Sequence, residues 1–352
     1  MKILYLGWVG FNNFGDELLW RMFRSAGERK LKPGEYELVP SVPGVDVKQL
    51  SGYDLIVLGG GSLLLPGYVN ILQEALRSGK RIAIWGSGYD CFHLPKSTDG
   101  GAVQPDNVKE SAEYAAKLAD VLGGAMYRGV RGPLTMAYLA NQGVSLARVT
   151  VSGDAGLLAG PDFGPDIGPA ADTADSKWIG INWGTVYNNM YGASEARVED
   201  QLVLAAQALL KDGYRLYLYV VWGPDRKPTE RLFERIGSPD RVVYDPILHT
   251  EEEYAELMRG WDATLNLKLH GNVMSAAAGV PFVSLGYRFK CFDFAHQLGA
   301  PELVVSTGES ELGERLAHAV IDAIDRRDAL RARFAAERAL TRERLESLFE
   351  LI

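Results

Sequence analysis

The 352-residue sequence is poor in cysteine, with Cys91 and Cys291 alone. Two thiols cannot build a disulfide framework, and without a CxxC pair they offer neither a zinc site nor a redox couple. A reducing compartment fits such a chain. No apolar run reaches the length that crosses a bilayer. The opening MKILYLGWVGF is apolar, yet it lacks a basic leading segment and a small-residue cleavage site, and the polar residues Asn12, Asn13, Asp16 and Glu17 follow closely. A first buried strand is therefore the expectation, in a cytoplasmic protein. Positive charge is also scarce: 37 Lys and Arg face 45 Asp and Glu, for a net charge of −8. That excludes nucleic acid as a partner through broad attraction. An anionic substrate would need a local cationic site. A GxGxxG fingerprint is missing, and so is the Gly-Lys-Ser/Thr of a phosphate-binding P-loop.

What is present is the composition of a soluble globular protein, 47% hydrophobic and 23% charged, long enough for two α/β domains. Short apolar runs at 2–6, 55–58, 81–85 and 148–152 read as buried strands. Amphipathic stretches at 16–26, 69–78, 107–119 and 133–141 read as helices between them. This alternation implies βαβ units and a parallel sheet. Residues 161–176, rich in Gly, Pro and Asp, interrupt it and read as a linker. Strands are then expected at 178–182, 215–221, 241–244, 263–267 and 281–285, with helices at 198–211, 229–235, 251–259, 272–278, 311–324 and 328–349. The organisation expected is an N-terminal Rossmann-like domain over 1–160, the linker, a C-terminal Rossmann-like domain over 177–327, and a closing helix over 328–352. Two such domains facing each other would leave a ligand cleft between them. The closing helix is expected to be structural, through Leu345, Leu348 and Ile352, and to pack back across the interface. Its alternative is contact of Arg326, Arg327, Arg331 and Arg333 with a membrane-bound acceptor.

The chemistry-bearing motifs fall at strand ends. After the first strand come Gly7, Gly10, Asn13, Gly15 and Asp16, a turn fit either to approach a ligand or simply to cap a helix. After the 55–58 strand, Gly59, Gly60, Gly61 and Ser62 would expose consecutive N–H groups to an anion or a sugar hydroxyl. The Trp85-Gly86-Ser87-Gly88 turn repeats that logic. Arg131 precedes a proline-started helix, where it is either a cation facing the cleft or a surface arginine. Gly153-Asp154 stands near the linker and braces it on the plainer reading.

The second half carries more. In Leu267-Lys268-Leu269-His270 a strand ends in a cation and a histidine opens a helix. A helix start attracts anions, Lys268 adds a charge, and His270 can move a proton near neutrality. Arg288 and Lys290 stand at the next strand end, so several cations converge in an acidic protein. Trp183, Tyr187, Tyr191 and Trp222 would make a sugar-stacking platform or pack into the core.

Taken in order, Asn13-x-Gly15-Asp16, Gly59-Gly60-Gly61-Ser62, Arg131-Gly132, Gly153-Asp154, Lys268-Leu269-His270 and Tyr287-x-x-Lys290 resemble the polysaccharide pyruvyl transferases, the bacterial cell-wall enzymes in particular. The resemblance spans nearly the whole chain. It implies a glycosyltransferase-B-like fold, phosphoenolpyruvate as donor, and a pyruvyl ketal on a sugar or lipid-linked saccharide as product. On it His270 is catalytic. Lys268, Leu269, Lys290 and Arg288 of the C-terminal domain bind the donor, with Arg131 of the N-terminal domain as a further donor ligand. Asn13, Asp16, Gly60, Gly61, Ser62, Trp183 and Tyr187 bind the acceptor. No metal or cofactor is expected, and a transient membrane-surface contact stands only as the alternative given for the closing helix. Lys268 stands where such enzymes usually carry arginine, which keeps the charge and loses the bidentate fork. The rivals are a nucleotide-sugar glycosyltransferase of the same fold and a non-catalytic sugar- or phosphate-binding protein.

Overall fold

The computed structural model describes residues 1–91, 109–160, 177–192 and 194–352. The expected linker and the start of the expected 107–119 helix lie outside these residues. Each apolar run that is buried on both faces becomes a strand of a parallel sheet. The first sheet joins β1 (Lys2–Leu6), β2 (Glu37–Pro40), β3 (Leu55–Leu58), β4 (Arg81–Ser87), β5 (Tyr127–Val130) and β6 (Thr150–Val151) in the order β2-β1-β3-β4-β5-β6. The second joins β7 (Trp178–Asn182), β8 (Arg215–Tyr219), β9 (Val242–Asp245), β10 (Ala263–Asn266), β11 (Phe282–Gly286) and β12 (Val304–Ser306) in the order β12-β11-β10-β7-β8-β9. Every pairing is parallel.

Strand order decides where a ligand can sit. In an open parallel sheet the crevice opens at the strands' carboxyl ends, where the order reverses. In the first sheet that point lies between β1 and β3, beneath the loops that hold Asn13 and Gly60. In the second it lies between β7 and β10, beneath the loops that hold Thr185 and Lys268.

The chain divides into two units, Met1–Leu158 with Ala339–Ile352, and Ala159–Arg338. The second unit thus runs past the expected limit at 327, and the last fourteen residues, 339–352, fold with the first. The long helix α11 (Arg327–Glu346) spans the change of unit, and a short turn at Ser347–Glu350 replaces its expected last residues. Leu345, Leu348 and Phe349 are buried in one cluster with Tyr5, Phe23 and Trp85. The Trp85 indole donates to the Leu345 carbonyl at 2.9 Å.

The helices begin where the sequence provides caps. Asn13 caps α1 (Phe14–Lys30) by accepting from the Gly15 N–H, Ser194 caps α5 (Glu195–Lys211), and Thr250 with Glu253 forms a reciprocal capping box on α7 (Glu251–Arg259). Among the described residues, three strands and one α-helix escaped the pattern. β2 and β12 are short edge strands, β5 is four residues long and carries Arg128 and Gly129, and α9 (Phe289–Gln297) begins inside the Tyr287-to-Lys290 motif. The helix expected at 272–278 starts earlier, as α8 (Leu269–Ala277), which brings His270 into its first turn.

Candidate active site

Lys268 lies two residues past the end of β10 and is the N-cap residue of α8. Asn182, the last residue of β7, fixes it from both sides of its own backbone: the Asn182 carbonyl accepts from Leu267 N–H at 2.9 Å and its Oδ1 from Lys268 N–H at 3.1 Å. The Asn182 amide group in turn donates to the Tyr219 carbonyl at 3.0 Å, so the ends of β7, β8 and β10 are tied together. Beneath α8, Asn266, Asn272, Ser275, Ser284 and Thr264 form a buried hydrogen-bonded network that fixes the helix start. Fully satisfied buried networks of this kind rigidify the backbone that they join.

The Lys268 ammonium points back to the β7 and β8 loops. Its Nζ donates to the Thr185 carbonyl at 2.6 Å, lies 3.2 Å from Asp225 Oδ1, and stands 4.8 Å from the Trp222 ring centre. Asp225 is fully buried, and it also accepts from the Thr185 N–H at 3.0 Å. It packs so closely on Gly184 that a Cβ there would stand 2.1 Å from Oδ1, which requires glycine. Its second oxygen, Oδ2, is buried with no hydrogen-bond partner. Burial pushes the Asp225 carboxyl up to about 6, against the pull of Lys268 and the Thr185 N–H. Burial likewise holds the Lys268 ammonium below the usual lysine range, with the nearby Arg288 acting in the same direction. Both partners are thus driven toward neutrality despite their attraction, because desolvation outweighs it.

His270 is half-buried in the first turn of α8, and Leu269 beside it is buried. Arg288 is the N-cap residue of α9, as Lys268 is of α8, and neither side chain turns back to cap its own helix. Two helix starts headed by cations therefore stand at neighbouring strand ends, β10 and β11. Lys290 Nζ lies 5.3 Å from the Tyr287 ring centre. Tyr187 is 65% exposed, with its ring edge-on to Trp222 at 6.2 Å.

The loops of the first unit form a separate constellation. Asn13 Oδ1 is engaged in capping at 3.2 Å. Asp16 sits against Gly61, whose added Cβ would meet Asp16 Oδ1 at 3.5 Å, and Gly60 packs on Leu19. Asp16 raises the Tyr68 hydroxyl's pKa, after burial, which places Tyr68 within its field. Tyr68 also lines a largely apolar cavity of about 720 Å³ with Trp8, Val47, Leu50 and Ile71.

Two expected site residues are corrected. Arg131 is fully buried in the first unit, not a surface arginine; its guanidinium donates to Ser62 Oγ at 3.2 Å and to the Tyr89 carbonyl at 3.0 Å. Gly88 leaves it room, since a Cβ there would stand 2.5 Å from the guanidinium carbon. It braces the strand-end loops instead. Trp183 offers no stacking face: it is fully buried and donates its indole N–H to Glu199 at 2.9 Å, a carboxylate also held by Arg231 and Arg235. Tyr191 is buried as well. Sequence reading missed Asp225, Asn182 and Thr185, since their roles follow from strand order. Among the described residues no group of three His, Cys, Asp or Glu is placed to hold a metal.

A family model described as polysaccharide pyruvyl transferase matches residues 13–288. No curated protein matches the chain. Among solved structures, a putative UDP-N-acetylglucosamine 2-epimerase from Listeria monocytogenes is similar at 11% identity and a TM-score of 0.61, covering 95% of this chain and 90% of that one. The UDP-GlcNAc 2-epimerase from Neisseria meningitidis, bound to UDP-GlcNAc, matches at 12% identity and a TM-score of 0.58, covering 99% and 100%. A UDP-glucosyltransferase from Polygonum tinctorium matches at 12% identity and a TM-score of 0.58, covering 99% and 98%. At such identities the likeness shows the fold, that of the glycosyltransferase-B enzymes.

Proposed function

This chain belongs to the polysaccharide pyruvyl transferase family, and from that premise we propose that it moves pyruvate from phosphoenolpyruvate onto a sugar of a cell-wall or extracellular polysaccharide precursor, forming a pyruvyl ketal. The observation that carries the reading is the placement of Lys268 and Arg288 as the N-cap residues of two helices that start at neighbouring strand ends. A small ligand with a phosphate and a carboxylate fits such a pair. Lys268 and the start of α8 take the phosphate, and Arg288 with Lys290 takes the carboxylate. Arg131, buried in the first unit and engaged with Ser62 and the Tyr89 carbonyl, is given no part in it.

In this reading His270 delivers a proton to C3 of the donor, and the electron pair of the C2–C3 double bond forms the new C–H bond. C2 becomes electrophilic, and a sugar hydroxyl attacks it. The bond from C2 to the phosphate oxygen breaks, and a second hydroxyl closes the ketal. The two hydroxyl protons balance the one gained at C3 and the one that leaves on phosphate. Lysine and arginine meet the donor's charge, so the scheme assigns no metal or cofactor. Asp16, Asn13, Ser62 and the Gly60-Gly61 backbone are the acceptor's hydrogen-bonding groups, with the cavity behind Tyr68 beside them. The setting is the cytoplasm, at the inner membrane face where the acceptor is lipid-linked. A second reading, a nucleotide-sugar glycosyltransferase, is favoured by neighbours of this fold bound to UDP-sugars. Phosphate release from phosphoenolpyruvate in the presence of saccharide acceptors separates the two.

A further inference from the structure

We propose that Glu195 is a positioning residue that sets the place of the Lys268 ammonium through the loop 185–188. Glu195 is the first residue of α5, and the helix is already capped by Ser194, whose Oγ accepts from the Arg197 N–H at 3.2 Å. The Glu195 carboxylate turns away from the helix to the loop. Its Oε1 accepts from Val186 N–H at 2.5 Å and from Asn188 N–H at 3.0 Å, and Thr185 Oγ1 donates to the carboxylate at 3.1 Å. The Glu195 N–H returns a bond to Asn188 Oδ1 at 2.9 Å.

The latch holds a conformation the loop would not adopt alone. Tyr187 has φ 54° and Asn188 φ 57°, two successive left-handed residues that are not glycine. Asparagine tolerates that region, whereas tyrosine does so only where its surroundings over-determine it. The segment so held contains Thr185, whose backbone touches both members of the ion pair. Its carbonyl accepts from Lys268 Nζ at 2.6 Å, and its N–H donates to Asp225 Oδ1 at 3.0 Å. Glu195 thus reaches Lys268 through one residue, and its charge also favours the protonated ammonium directly. A helix-capping role alone explains neither the direction of the carboxylate nor the strained loop.

This inference rests on the reading of Lys268 as the donor's phosphate ligand, and its test keeps the two apart. Lys268 reactivity is measured by acetic anhydride labelling and peptide mass spectrometry, which needs no substrate. Glu195→Ala raises the labelling rate of Lys268 severalfold and raises KM for phosphoenolpyruvate about tenfold, the loss of one charge-assisted hydrogen bond, with a much smaller change in kcat. Glu195→Gln restores KM and most of the protection from labelling, because an amide oxygen accepts the two N–H bonds and its NH2 reaches Thr185 Oγ1; the lost charge, which helps hold Lys268 protonated, leaves a small residual rise in labelling. Asn188→Ala, which loses the reciprocal bond, moves labelling the same way to a lesser extent and serves if Glu195→Ala does not fold. Unchanged Lys268 labelling in Glu195→Ala, or a Glu195→Gln protein that behaves like Glu195→Ala, overturns the proposal. A wild type indifferent to phosphoenolpyruvate, with labelling that still follows the latch, overturns the donor reading alone.

Discussion

His270 and Lys268 are two residues apart, and their substitutions separate proton transfer from donor binding. His270→Ala reduces turnover about a hundredfold or more, the usual scale of general acid–base catalysis, while donor affinity falls much less. Activity per folded molecule is the measurement; a near-wild-type rate would leave His270 as a packing residue. Asp225 adds a dependence on pH. Its folded pKa is raised from 3.8 to about 6 by burial, so protonation favours the folded state fully below the unfolded value, and this contribution is lost as pH rises through about 6. An anionic donor at Lys268 disfavours the ionised carboxylate further. Donor binding above that pH therefore takes up a proton, and affinity falls as pH rises. Asp225→Asn removes this component, as calorimetry in buffers of different ionisation enthalpy would show; the donor's own phosphate, which titrates near ~6, contributes equally to both proteins. The placement of Lys268 and His270 at a strand end and a helix start was legible because those features adjoin in sequence. Asp225 was not, because its partner is fixed by β8 lying beside β7. Trp183 was visible as an aromatic at a strand end, but nothing local told that its ring turns inward to Glu199.

The apolar runs of β1, β3 and β7 match their strands residue for residue, since a strand covered on both faces is continuous in hydrophobic residues. β2 and β12 carry less of that signal, because one side of an edge strand has no neighbour; β2 ends in Pro40 and β12 has three residues. The closing helix reads as structural through the spacing of Leu345, Leu348 and Ile352, and Leu345 and Leu348 are buried in the core of the first unit with Ile352 packed against it. Leu345→Ala leaves a hole beside Trp85 and should cost about 2–5 kcal/mol, measurable as a lower urea midpoint with an unchanged slope. A stability equal to wild type would mean that the C-terminal segment does not belong to this core.

The whole molecule repeats one device: a parallel sheet whose strand order reverses at a single point, with glycine-rich or cationic loops at its carboxyl ends. Strand–helix alternation announces that device in the sequence, whereas the order of strands, which selects the loops that meet, is a tertiary property. No helix among the described residues is long and apolar enough to cross a membrane. The fold itself serves epimerases and glycosyltransferases alike, so it cannot choose the donor. The most direct test incubates the protein with phosphoenolpyruvate and a panel of free and lipid-linked saccharides, measures released phosphate, and examines the product by NMR for the ketal carbon. The account predicts phosphate release only when an acceptor is present, one phosphate for each ketal formed. Release of UDP from a UDP-sugar with sugar transfer, and no phosphate from phosphoenolpyruvate with any acceptor, would contradict it.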